Sequence, residues 1–217
     1  MKSKVMIALV VLSSLAVGLS SVEAQVPSFE SPQLARGPFS SMRMLLEKTF
    51  LKIDVATIDV RVGKREQTEL SKLASGREYS DALEGELAKA VLRADHALIQ
   101  LAFLRDVPLQ RWIDGVRDSL ESANRAGLIS AAQRKSVSDG LPQWFKALEA
   151  DGFHEGDRVL YELRPGVLRT VAVTRAGKVL VDRSDKGQDL PKLVLASYFA
   201  PGTDYRTLLL ESLLQRR

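Results

Sequence analysis

ALIQLAFLRDVPLQRWIDGVRDSL, residues 97–120, joins two elements of different periodicity across four residues. From Ala97 to Leu104 every residue but Gln100 is apolar, and the run is too short for a buried helix, so it reads as a strand covered on both faces. Arg105-Asp106 ends it. Pro108 then stands at a helix start, where a missing amide hydrogen costs nothing. Leu109, Trp112, Val116 and Leu120 recur at helical spacing until Gly127 offers a C-terminal stop. A buried strand leading into an amphipathic helix requires neighbouring strands and a sheet face under the helix stripe.

Those partners are visible on both sides. Upstream, Phe50–Val62 alternates apolar and polar residues as a strand does, and Ser80 or Asp81 caps a helix carrying Leu83, Leu87 and Val91. Downstream, Ser130–Ala150 is helical with Val137, Leu141, Phe145 and Leu148, kinked or split at Pro142. Arg158–Arg164 and Leu168–Thr174 alternate and are joined by Pro165-Gly166. Ala176-Gly177 turns the chain into Lys178–Asp182, completing a three-strand antiparallel meander. Asp189 caps a helix through Leu193, Leu195, Ala196 and Phe199, and Thr203 or Asp204 opens a last short one with Leu208, Leu209 and Leu213. Strands and helices come in runs, which gives an α+β fold with helices on one face of an antiparallel sheet.

The N-terminus follows different rules. Lys2 and Lys4, the apolar run Val5–Val17, and Val22 and Ala24 at −3 and −1 predict a secretory signal peptide over residues 1–24, cleaved after Ala24. The apolar run falls short of the ~20 residues of a spanning helix, and no later segment reads as transmembrane. Periplasmic or secreted localisation is the expectation. Residues 25–45, with Pro27, Pro32, Gly37 and Pro38, read as an irregular mature segment, and residues 46–217 as one domain of the 217-residue chain. The formal charge of +4 falls by one when Lys2, Lys4 and Glu23 are removed, and the basic residues are interspersed with acidic ones, so no nucleic-acid partner is expected. Arg216-Arg217 and Lys64-Arg65-Glu66 read as solvated ends and turns.

Chemistry-bearing motifs are few. The chain has no cysteine, no phosphate loop, no HExxH and no G-x-S-x-G. His96 beside Asp95 and His154 in a turn are far apart in sequence, so neither a metal site nor a cofactor is expected. Asp54 and Asp59 have odd spacing on one strand and point to opposite faces unless a bulge intervenes.

The segment Leu101–Leu120, followed by Phe153-x-x-Gly156-Asp157-Arg158-x-Leu160-Tyr161, the Pro165-Gly166 hairpin, the Gly177-Lys178 turn and two closing helices, resembles the chalcone isomerase-like proteins of bacteria. The resemblance runs from about Lys52 to about Leu214. It implies an open-faced antiparallel β-sandwich, a large sheet with helices layered on one face. In the plant enzymes of that family an arginine holds the substrate anion, and a threonine, a tyrosine and an asparagine line the cleft. Arg43 falls at the arginine position with a one-residue gap, Asp54 at the threonine, Trp112 at the tyrosine and Ser119 at the asparagine. An aspartate repels a developing enolate and tryptophan has no phenolic hydroxyl, so catalysis is not expected.

The non-catalytic branch includes fatty-acid-binding proteins, in which an arginine and a tyrosine hold a carboxylate. Here Arg43 or Arg105 would supply the cation, and Tyr161 or Tyr198 the tyrosine. The ligand-binding candidates are thus Arg43, Asp54, Arg105, Trp112 and Ser119, for a fatty-acid-like or other small apolar ligand. Two alternatives stand beside this one: an accessory module of the cell envelope that binds protein, and a residual intramolecular lyase or isomerase. For each of Trp112, Phe103 and Phe145 taken alone the favoured reading is plain core packing, and for Arg105-Asp106 a structural ion pair that ends a strand.

Overall fold

Among the described residues, six strands form one sheet in chain order, every neighbour antiparallel: β1 Ser41–Lys48, β2 Ile53–Val62, β3 Ala97–Phe103, β4 Arg158–Arg164, β5 Val167–Val173 and β6 Val179–Lys186. The computed structural model describes residues 33–48, 53–203 and 205–215. The signal-peptide reading, its cleavage point and Arg216-Arg217 lie outside them. Helices α1 Lys64–Ala74 and α2 Asp81–Leu92 connect β2 to β3. Next come α3 Leu109–Arg125 and α4 Ala131–Trp144, with a short 3₁₀ turn at Lys146–Leu148; α5 Leu190–Phe199 and α6 Arg206–Glu211 close the chain.

The pleat sorts the strand residues into two faces. Met42, Met44, Ile58, Val60, Ile99, Leu101, Phe103, Val159 and Leu163 are buried together with Leu83, Leu87, Trp112, Phe145 and Phe199 of the helical side. The other face carries Leu98, Leu160, Val171 and Val173, clustered with Leu34, and is flanked by ion pairs. Arg43 bonds Asp59 there (Nη2 to Oδ2 2.6 Å), and Arg169 bonds Asp182 (2.8 Å). The α+β, open-faced antiparallel architecture with helices layered on one side is thus observed.

Several boundaries differ from the sequence reading. Residues 41–45 are not irregular: they belong to β1, where Met42, Met44 and Leu46 are buried while Arg43, Leu45 and Glu47 are exposed. Pairing with β2 supplies the backbone partners that the Pro- and Gly-rich residues just upstream obscured. Lys64-Arg65-Glu66 is the first turn of α1, not a solvated turn. Its cap, Gly63, makes no side-chain hydrogen bond, so no capping signal marks it, yet Glu66, Leu70 and Ala74 are buried at i, i+4 spacing. Pro142 lies inside α4, which ends two residues later. Thr203 does not open α6; its hydroxyl donates to the carbonyl oxygens of Tyr198 and Ala200 at the end of α5. A bulge opposite Leu46 and Glu47 displaces Val55 from the β1–β2 register.

Candidate functional site

The floor of the site is the inward face of the sheet, from Leu46 on β1 to Arg183 on β6, and its roof is α3, α4 and α5. Between them lies a cavity of about 510 Å³. α3 is held over the sheet end by a junction that explains the Phe153-x-x-Gly156-Asp157 sequence. Val107 and Phe153 exchange backbone hydrogen bonds (2.8 and 2.9 Å), and the Gly156 amide donates to the Phe103 carbonyl oxygen (2.8 Å). Gly152 has φ +70°, and a Cβ there would lie 2.5 Å from the Val107 carbonyl oxygen, so only glycine lets the two segments meet. The buried Asp157 carboxylate accepts from the His154 and Arg175 amides, each at 2.9 Å.

This junction builds an aromatic wall. Phe103 stacks on Phe153 at 4.3 Å between centroids, and Trp112 meets Phe145 (4.5 Å) and Phe153 (5.4 Å) edge to face. Trp112 is therefore core, and it also lines the cavity. Val55, Leu101, Val116, Leu141 and Val194 continue the apolar lining.

The other sequence-derived candidates separate. Ser119 lines the cavity, but its hydroxyl donates to the Gly115 carbonyl oxygen at 3.0 Å within α3. Arg105 is exposed and borders the cavity. The expected Arg105–Asp106 ion pair does not form: Asp106 accepts from the Glu155 amide (3.0 Å) and faces His154 Nδ1 (3.5 Å). The amide bond first, then the histidine, hold its carboxyl below the usual aspartate range. Arg43 does not reach the cavity. It sits on the outer face of the sheet bonded to Asp59, and its neighbours Met42 and Met44 face inward instead. A one-residue slip inverts the face of a strand residue, which is what the gap at this position did. The side chain of Asp54 lies outside the described residues. Tyr161 and Tyr198 both line the cavity, and burial pushes both phenols up.

Polar residues that the sequence did not single out also belong to the lining. Arg183 on β6 lies 4.2 Å over the Trp144 ring and donates from Nε to Asp185 at 2.8 Å, and Thr170 on β5 is buried beside it. Their signal was the period-2 spacing of Val181, Arg183 and Asp185, hidden by reading the last strand as ending at Asp182. Neither histidine lines the cavity, and among the described residues no three His, Asp or Glu side chains cluster as a metal site would require.

No protein-family model matches the sequence, and no curated protein matches it. Among solved structures the chain resembles the fatty-acid binding protein of Arabidopsis thaliana, with a TM-score of 0.54 and 15% identity over 87% of this chain and 92% of that one. The fold is that of the chalcone isomerase-like proteins. Within it, the sheet-to-helix cavity described above is the space between the large sheet and its helical layer.

Proposed function

We propose that this chain is an exported, non-catalytic chalcone isomerase-like protein of the bacterial kind that binds a fatty-acid-like amphiphile in its cavity. The observation that carries this reading is an apolar, aromatic-walled cavity of about 510 Å³ between sheet and helices, within the size range of small-ligand pockets and fringed with cations. The structural resemblance to a protein described as fatty-acid binding supports it. Against catalysis stand three features of the same space: Trp112 brings no hydroxyl, the Ser119 hydroxyl is engaged within its helix, and Arg43 faces away. Export is supported by the basic, apolar and small-residue order of residues 1–24, and no described helix is long and apolar enough to cross a membrane.

Native mass spectrometry of protein purified from its own cells tests binding: a co-purifying fatty acid is expected, and a chain that emerges bare and fails to take up palmitate refutes the reading. Purified protein is expected to leave the spontaneous cyclisation of a chalcone at its buffer rate. Turnover that disappears with a cavity variant would establish an isomerase. N-terminal sequencing of the exported form is expected to begin at Gln25, whereas an intact Met1 on envelope-bound protein would overturn cleavage.

A further inference from the structure

The register of the sheet sets three polar side chains in one line. Tyr161 on β4 pairs with Thr170 on β5, and Thr170 pairs with Arg183 on β6, so the three are direct cross-strand neighbours on the inward face, with adjacent Cβ atoms about 5 Å apart. All three line the cavity. The hydroxyls of Tyr161 and Thr170 have no hydrogen-bond partner among the described residues, and the same holds for Tyr198, which faces the cavity from α5. Thr170 is only 5% exposed and Tyr198 8%. As part of the cavity lining, these hydroxyls are available to donate to a ligand oxygen there.

Arg183 supplies the charge. Asp185 grips its Nε and Nη2 edge and Trp144 supports its face, which leaves the Nη1 side of a fixed guanidinium unengaged. The Asp185 carboxylate is thereby neutralised where it faces the same space. Arg105, by contrast, is exposed, so water screens any pair it makes. Every polar group in the row can donate a hydrogen bond, a set that matches an acceptor-only headgroup.

Resting on the fatty-acid-binding reading above, we infer that the row Tyr161–Thr170–Arg183 on β4, β5 and β6 is the seat of the ligand's carboxylate, with the alkyl chain lying along the aromatic wall of Trp112, Phe145 and Phe103. The cation comes from the edge strand β6, at the opposite side of the sheet from β1, where the resemblance had led to Arg43.

Titration of the purified chain with palmitate and with methyl palmitate separates the two proposals. The protein is expected to bind palmitate more tightly than the ester. Arg183→Gln should weaken palmitate about 10- to 100-fold, the usual loss for a charged hydrogen bond, while leaving the ester nearly unchanged. Tyr161→Phe and Thr170→Val, which preserve shape, should each weaken palmitate up to about tenfold, and they carry the test if Arg183→Gln does not fold. Arg43→Gln, on the outer face, should bind as the parent does. If the parent binds neither compound, the cavity reading itself falls. If it binds both equally, or if folded Arg183→Gln and Tyr161→Phe retain full palmitate affinity while Arg105→Gln loses it, the cavity reading survives and the carboxylate seat is overturned.

Discussion

Trp112 is 7% exposed, packed edge to face on Phe145 and Phe153, and forms part of the cavity wall. Truncation therefore removes core and binding surface together. Trp112→Ala is expected to cost ~3–5 kcal/mol, the range for deleting a buried large aromatic, and to weaken palmitate binding; thermal melts and ligand titration on the one variant measure both. Full stability in that variant would show that the ring is not core. The helical stripe Leu109, Trp112, Val116 and Leu120 placed this side chain on the inner side of α3 from sequence alone, because residues at that spacing share a face within one element. For Arg43 no local rule was enough. Its face depends on the pairing of β1 with β2, and Ser41 opposite Arg61 sets it outward.

At the scale of elements, two contacts hold distant segments together. The α3 junction depends on Gly152, whose positive φ and 2.5 Å approach to the Val107 carbonyl oxygen leave no room for a methyl group. Gly152→Ala should destabilise by about 1–3 kcal/mol in urea unfolding, the cost of a forced backbone conformation. Glu84 of α2 ties down the C-terminal helix: it accepts from Tyr79 (2.5 Å) and Thr207 (2.8 Å) and pairs with Arg206 (2.7 Å). Burial alone would raise its pKa, but the bonds from Tyr79, Thr207 and Arg206 outweigh it and hold the carboxyl below the usual glutamate range. A lowered folded pKa means stability that is present at neutral pH and lost as pH falls through that lowered value. Glu84→Gln is expected to destabilise by about 1–3 kcal/mol at pH 7 and to flatten the acid side of the stability profile, while an unaltered profile would exclude this role. The α2 cap was readable in advance, since Ser80 does accept from the Leu83 amide (3.3 Å). α1 was not, because its start lacks a capping side chain and its buried Glu66 sits in what reads as a charged run.

For the whole molecule, ligand binding to the folded state alone raises stability by mass action. Palmitate at one hundred times its Kd should add about 2.7 kcal/mol, seen as a concentration-dependent rise in melting temperature that methyl palmitate reproduces less strongly. No rise at saturation would contradict the cavity reading. The order of the elements from β2 onward apart from α1, the α+β class, the Pro165-Gly166 hairpin and the apolar sides of α3 and β3 were determined by the sequence itself, since each rests on spacing and turn chemistry inside a short window. The tertiary structure decided what depends on pairing between windows: that β1 exists as an edge strand, that Arg43 faces away from the cavity, and that Tyr161, Thr170 and Arg183 stand in one row. The physical reason is that strand register is a non-local quantity: the period-2 pattern leaves two faces to choose from, and only the hydrogen-bonded neighbour selects one.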